Sequence, residues 1–259
     1  MNTKKIGLER FFNSKEFKQR ANNILLSIGF NEKGLLVIED FDKTSGILIA
    51  GEKHSGKTTF LNCIIASLLH QNKSEKTLQF ILLDSKKNEF KKHKDLPHLV
   101  FPIIDKLCTA KEAIIWLEAE FDRRFAILED KQKRNIWKYN KTAKNKLPTI
   151  FFIVDELADL MRLAPKVFKD RFVRILQIGK CIGIFIIATT SKMDVKNIPS
   201  LVNVNFLTKV CFKTASGRDS SKIVYYKHAK NLKKGELLHS DYFTTKEPNK
   251  IHGFHASKT

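Results

Sequence analysis

Proline and glycine are scarce, 6 and 11 in 259 residues, which excludes collagen-like repeats and low-complexity disorder. The four cysteines, Cys63, Cys108, Cys181 and Cys211, are widely separated. That excludes the paired spacing of a zinc site or a disulfide framework, and they read as reduced core thiols of a cytosolic protein. No apolar run reaches the roughly 18 residues of a membrane helix. Residues 1–9 hold two lysines with no apolar core after them, unlike a signal peptide. A cytoplasmic protein with no membrane segment of its own is expected. Acid is also in short supply: 27 Asp+Glu stand against 47 Lys+Arg, a formal charge of +20. Such an excess implies an anionic partner, nucleic acid first and an anionic membrane second. What is present is a folding composition, 42% hydrophobic and 29% charged, long enough for one large α/β domain.

Apolar residues at Leu8, Phe11, Phe12, Phe17, Ala21, Ile24, Leu25 and Ile28 predict an amphipathic helix over 8–28, so 1–30 forms a helical segment ahead of the main domain. Residues 35–38 and 47–50 read as two strands joined by a polar turn, followed by a helix from 57 to about 70 and a strand over 78–84. Thr109 with Glu112 reads as a capping box, opening a helix with Leu117, Phe121, Phe125 and Leu128 on one face. The pattern breaks over 131–146. Strand 149–154, helix 165–180 and strand 182–188 follow, with further strands at 206–212 and 237–243. Continuous apolar strands alternating with helices predict an α/β fold whose mostly parallel central sheet is covered by helices on both faces. The main domain spans 31–244 and a tail 245–259.

Gly51-Glu52-Lys53-His54-Ser55-Gly56-Lys57-Thr58 fits the P-loop pattern and lies between a strand and a helix. Glycines let backbone N–H groups wrap phosphates, the helix N-terminus adds a positive dipole, Lys57 reaches the β- and γ-phosphates, and the Thr58 hydroxyl holds Mg²⁺. Ninety-eight positions later (155 − 57) an apolar strand ends in Asp155 and Glu156, a Walker B pattern. Asp155 is expected to hold the Mg²⁺ shell and Glu156 to orient or deprotonate the attacking water. Both motifs are expected at the carboxyl ends of adjacent parallel strands. Thr189, Thr190 and Ser191 offer hydroxyls for sensing the γ-phosphate, or they are turn residues. Arg123, Arg124, Arg134, Arg171 and Arg174 are all available as the arginine of a neighbouring subunit, and spacing does not choose among them.

Residues 131–146 hold seven Lys/Arg and no acid, with Trp137 and Tyr139 interleaved. This is the composition of a nucleic-acid-facing segment, and equally of a solvated loop whose aromatics pack back onto the body. A second basic run, 86–94, is diluted by Glu89, His93 and the nearby Asp95.

Several stretches in order resemble the motor domain of FtsK/SpoIIIE-type DNA translocases, in the FtsK–HerA branch of P-loop ATPases. They are GILIAGEKHSGKTTFLNCIIASLL, LLDSKKNEF, LPHLVFP, FDRRFAIL, RNIWKYN, FFIVDELADLM, GIFIIATT, CFKTASGRDSS and LKKGELL, within 27–238. The resemblance implies a RecA-like P-loop NTPase core. It implies ATP at Gly51, Glu52, Lys53, His54, Ser55, Gly56, Lys57, Thr58 and Thr59, Mg²⁺ at Thr58 and Asp155, and catalysis by Glu156. It further implies a hexameric ring around double-stranded DNA, with nucleotide sites between subunits.

Two departures stand out. The family ends its sensor strand with Gln followed by Arg-Pro, where this chain has Thr190, Ser191 and Lys192. It places an arginine where this chain has Lys180, so the charge from the neighbour falls to Lys180 or to Arg174, about one and a half turns earlier. Lys133, Arg134 and Lys138 are expected near DNA, and Lys192 and Lys196 at the ring's pore. Only 21 residues (259 − 238) follow Leu238, too few for a DNA-reading winged helix. That suggests a free-standing coupling or packaging motor of a plasmid, phage or other mobile element, with a relaxase or similar protein as partner. The alternatives are a relative that powers protein secretion, or a nucleotide-gated DNA-binding adaptor with little hydrolysis.

Overall fold

The computed structural model describes residues 8–20, 24–87, 89–191, 198–241 and 247–253. Two one-turn helices, α1 (Glu9–Phe12) and α2 (Lys15–Lys18), lead into β1 (Leu25–Asn31) and β2 (Leu36–Asp40). Then come β3 (Gly46–Ala50), α3 (Lys57–Gln71), β4 (Leu78–Asp84), α4 (Leu107–Asp130) and α5 (Ile136–Thr142). β5 (Thr149–Asp155), α6 (Leu157–Leu163), α7 (Pro165–Ile182) and β6 (Ile184–Thr190) follow. α8 (Ser200–Asn205), β7 (Thr208–Cys211), α9 (Gly217–Val224), β8 (Glu236–Asp241) and β9 (Asn249–His252) complete the described elements apart from two short 3-10 turns.

The strands form one sheet in the order β2-β1-β9-β8-β7-β3-β6-β5-β4. β7, β3, β6, β5 and β4 run parallel, as their continuous apolar runs require. Successive residues of β5 serve opposite faces. Ile150, Phe152 and Val154 meet α4, α6 and α7, while Phe151 and Ile153 share the core on the α3 side. The expected α/β sandwich is therefore present. In its other half β2 and β8 overlap the strands expected at 35–38 and 237–243, while β1, β9 and the antiparallel pairing were not expected: β8, β9, β1 and β2 extend the sheet antiparallel from β7.

The helix expected over 8–28 does not form. Ile24, Leu26 and Ile28 enter the main core while Leu25 and Phe30 join Phe11, Phe17 and Cys63 in a separate cluster. The same apolar residues satisfy an alternating pattern, and pairing with β2 and β9 decides for the strand. β9 lies within the segment expected as a tail. β2 and β3, expected as strands joined by a turn, are so joined but lie far apart in the sheet, β2 at its edge and β3 near its middle.

The expected capping box is not used, because α4 starts at Leu107 with Lys106 as its cap and no side-chain cap bond. On that helix Phe125 is 47% exposed and Arg124 takes the inward place instead. Of the cysteines, Cys63 and Cys211 are buried, Cys181 is partly exposed and Cys108 is exposed, so only two are core thiols. Among the described residues no helix is long and apolar enough to cross a membrane.

Candidate nucleotide-binding site

β3 ends between β6 and β7, and the chain turns through 51–56 into α3. Two backbone bonds anchor this loop: Gly51 N–H donates to Thr190 O (3.2 Å) and Glu52 N–H to Lys213 O (2.8 Å). Gly51, His54 and Gly56 have φ of 156°, 62° and 117°. At Gly51 a Cβ would meet Ser55 Oγ at 2.6 Å and Phe212 Cβ at 2.8 Å, so only glycine fits. The first-turn N–H groups of α3 lack intrahelical partners and carry the positive end of its dipole, a ready anion site. Ser55 Oγ is buried with no partner among the described groups, a polar atom inside the loop that a phosphate would satisfy.

Lys57 folds over this loop, its Nζ donating to Gly51 O (2.8 Å) and Glu52 O (2.9 Å). Burial lowers its pKa, against the pull of Glu156 and Asp155, which tend to keep it charged. Thr58 is partly exposed on the first turn of α3, and Thr59, Lys53 and His54 are exposed. Oxygen donors suit a small hard cation, and Thr58 with Asp155 supplies them.

The acid pair sits at the end of β5. β6 lies between β3 and β5, so the two motif strands are second neighbours rather than adjacent as expected. Asp155 is buried and accepts from Thr189 Oγ1 (2.8 Å). Glu156 has φ 64° and ψ 71°, a left-handed backbone that costs a non-glycine residue about 1–3 kcal/mol and concentrates at functional positions. Its carboxylate accepts from Thr190 Oγ1 (3.0 Å), from Ser191 N–H (3.0 Å) and from Ser191 Oγ, while its own N–H donates to Thr189 Oγ1 at 3.2 Å. Thr189, Thr190 and Ser191 thus hold the two carboxylates directly.

One residue of this site was not assigned a role from sequence. Lys86, two residues beyond β4, lies 3.4 Å from Asp155 Oδ2 and 3.7 Å from Glu156 Oε2. Burial disfavours its charge, but the two carboxylates outweigh that and raise its pKa. The signal was within LLDSKKNEF: Asp84 pairs in register with Asp155, so a side chain just past β4 emerges beside the acid pair.

The remaining expected site residues lie elsewhere in this chain. Arg174 pairs with Asp122 (2.6 Å) and stacks over the Phe121 ring (4.2 Å) between α7 and α4. Lys180 donates to Lys43 O (3.3 Å), before β6 begins. The seven residues of β6 at about 3.3 Å each place it roughly 20 Å from Thr190. Arg123 pairs with Glu120 and Arg171 with Glu118, and Arg124 is wholly interior. Lys133, Arg134 and Lys138 flank or enter α5, a helix inside the segment where the pattern broke. Trp137 and Tyr139 are partly buried and pack on the two main cores. Lys192 and Lys196 lie outside the described residues.

A parallel half-sheet with a glycine loop leading into α3, and an acid pair two strands away, defines a P-loop ATPase fold. The FtsK/SpoIIIE family matches residues 7–195, and the chain belongs to that family. It is 32% identical over 237 residues to the DNA translocase FtsK of Clostridium tetani (strain Massachusetts / E88), covering 89% of this chain and 32% of that protein. The chain therefore spans about a third of that relative's length. The pCW3 conjugation coupling protein TcpA, in monomer form with ATPγS, shares the fold at TM-score 0.81 and 23% identity, over 92% of this chain and 68% of that one. So does the cytoplasmic domain of the Thermomonospora curvata type VII secretion ATPase EccC, at TM-score 0.83 and 19% identity, over 99% and 33%.

Proposed function

We propose that this chain hydrolyses ATP to move double-stranded DNA. One observation carries the reading: a glycine loop bearing Lys57 and an acid pair, Asp155 and Glu156, at the end of β5 stand in a chain 32% identical to a DNA translocase over 89% of its length. The +20 charge supports an anionic track.

The residues 51–59 cradle the phosphates, with Lys57 leaving the carbonyls of Gly51 and Glu52 for the β/γ oxygens. Thr58 and Asp155 would hold Mg²⁺, which would supply charge neutralisation at the phosphates. Glu156 takes a proton from the water whose oxygen bonds to the γ-phosphorus as the bond to the ADP oxygen breaks. To do so it exchanges its bonds with Thr190 and Ser191 for one to that water. Arg174 and Lys180 lie away from this copy's loop and suit action on a neighbouring copy in a ring of six. Of the two, Lys180 has less to give up, one carbonyl against the Asp122 pair. Work in the cytoplasm for a mobile element, as a coupling or packaging motor beside a relaxase, extends this proposal.

A protein-secretion role is the second reading. The fold shared with EccC is also shared with a conjugation protein, so it favours neither cargo. The identity to a DNA translocase favours DNA.

The test is steady-state ATPase activity of wild type and Glu156→Gln, with and without linear duplex DNA, at low and moderate salt. Wild-type turnover is expected to rise severalfold with DNA, to lose that stimulation as salt rises, and to vanish in Glu156→Gln. Turnover indifferent to DNA, in protein that still binds ATP, would sink the DNA reading.

A further inference from the structure

The loop after β4 is built to aim one lysine at the acid pair. Asp84 ends the strand and accepts through Oδ2 from the N–H groups of Glu89 (2.7 Å) and Phe90 (3.1 Å). Its carbonyl accepts from Lys87 N–H at 3.1 Å, which closes a turn. Lys87 takes a left-handed φ of 61° and sends its ammonium to Asp105 at 2.9 Å. Lys86 faces the other way, onto Asp155 and Glu156.

The partners differ in how well water reaches them. The side chains of Asp155 and Glu156 are 6% and 3% exposed, whereas that of Lys86 is 47% exposed. Two adjoining carboxylates shut away from water need a counter-charge, and Lys86 supplies it by direct contact, with Lys57 adding its field from the P-loop. A divalent ion held by Asp155 would draw on the same negative charge. The ammonium is a compact charge on a flexible stem, already half in solvent, so it can yield that place at small cost.

We propose that Lys86 is the resident counter-cation of the acid pair, which Mg²⁺-nucleotide displaces on binding. Lys86 is then a positioning residue. While it sits between the carboxylates it holds Glu156 on Thr190 and Ser191, and its departure ties the release of Glu156 to filling of the site. This inference rests on the ATP-site reading above.

The test follows binding, without turnover. A fluorescent non-hydrolysable ATP analogue is bound to the full chain and Mg²⁺ is titrated in. Lys86→Met is expected to lower the Mg²⁺ midpoint about fivefold, the scale of removing one competing charge at a half-exposed site. Lys86→Arg keeps the charge and should stay within about twofold of wild type. A purely structural lysine would alter thermal stability and leave the midpoint in place. A midpoint unchanged or raised in Lys86→Met, with the analogue still bound, overturns the role of Lys86 alone. A wild type that fails to bind the analogue overturns the nucleotide-site reading and this inference with it.

A measurement on the wild type avoids any folding defect. Acetylation of Lys86, read by peptide mass spectrometry, should increase when Mg²⁺ and the analogue are added together. Protection of Lys86 would mean that it grips the phosphates instead, against the proposal.

Discussion

Arg124 is among the largest fully buried side chains of the protein. Its Nε donates to Glu120 at 2.6 Å, and its Nη1 spans Pro148 O (2.7 Å) and Ile182 O (3.0 Å), joining the approach to β5 with the end of α7. Arg124→Met would take this donor from the carbonyls of Pro148 and Ile182, while Glu120 keeps Arg123, and stability measured by urea unfolding is expected to fall by about 3 kcal/mol. A loss under about 1 kcal/mol would mean that water replaces the guanidinium.

Lys209 makes the opposite case. Burial on β7 brings its pKa down to about 8, with its ammonium 4.7 Å from the Tyr225 ring centre. Between that value and the ordinary 10.5 the unfolded chain binds more protons than the folded one, so stability rises with pH across this window. Lys209→Met should be more stable at pH 7 by roughly 1–3 kcal/mol, with the two melting curves converging near pH 10. Parallel curves over that range would show that Lys209 reaches water. Lys57, Asp155 and Glu156 were legible because spacing and strand ends define them. Arg124 and Lys86 were not, since RRF and DSKKNEF do not say which lysine or arginine points inward.

At the scale of elements, the parallel half of the sheet was readable because strands covered on both faces must be apolar throughout. In the antiparallel half only β2 and β8 were readable, overlapping the strands expected at 35–38 and 237–243. β9 has one buried residue, Ile251, among polar neighbours, and β1 carries spacing that fits helix and strand alike. β9 docks where Gly29, at φ 146°, leaves no room for a Cβ against the carbonyl of His252 and the side chain of Ile251. Gly29→Ala is therefore expected to loosen β9 before the rest of the sheet. Stability should drop by about 2 kcal/mol or more, with earlier proteolytic cleavage on the C-terminal side of β8. Cleavage spread evenly along the chain would argue that β9 is integral to global folding.

For the whole molecule, formal charge of +20 sets an expectation about ions rather than fold. Duplex affinity, measured by fluorescence anisotropy, should fall at least tenfold between about 50 and 200 mM salt, with little dependence on DNA sequence. Affinity insensitive to salt would assign the lysines to solvation alone. Saturating ATP should stabilise the folded chain by about 2.7 kcal/mol at one hundred times its dissociation constant.

The P-loop is held by one bond to the end of β6 and another to the residue pair that follows β7. It is a mechanical fork. A shift of this loop is shared between the ends of β6 and β7, the strands on either side of β3. A displacement of the loop therefore loads both strand ends at once rather than either alone.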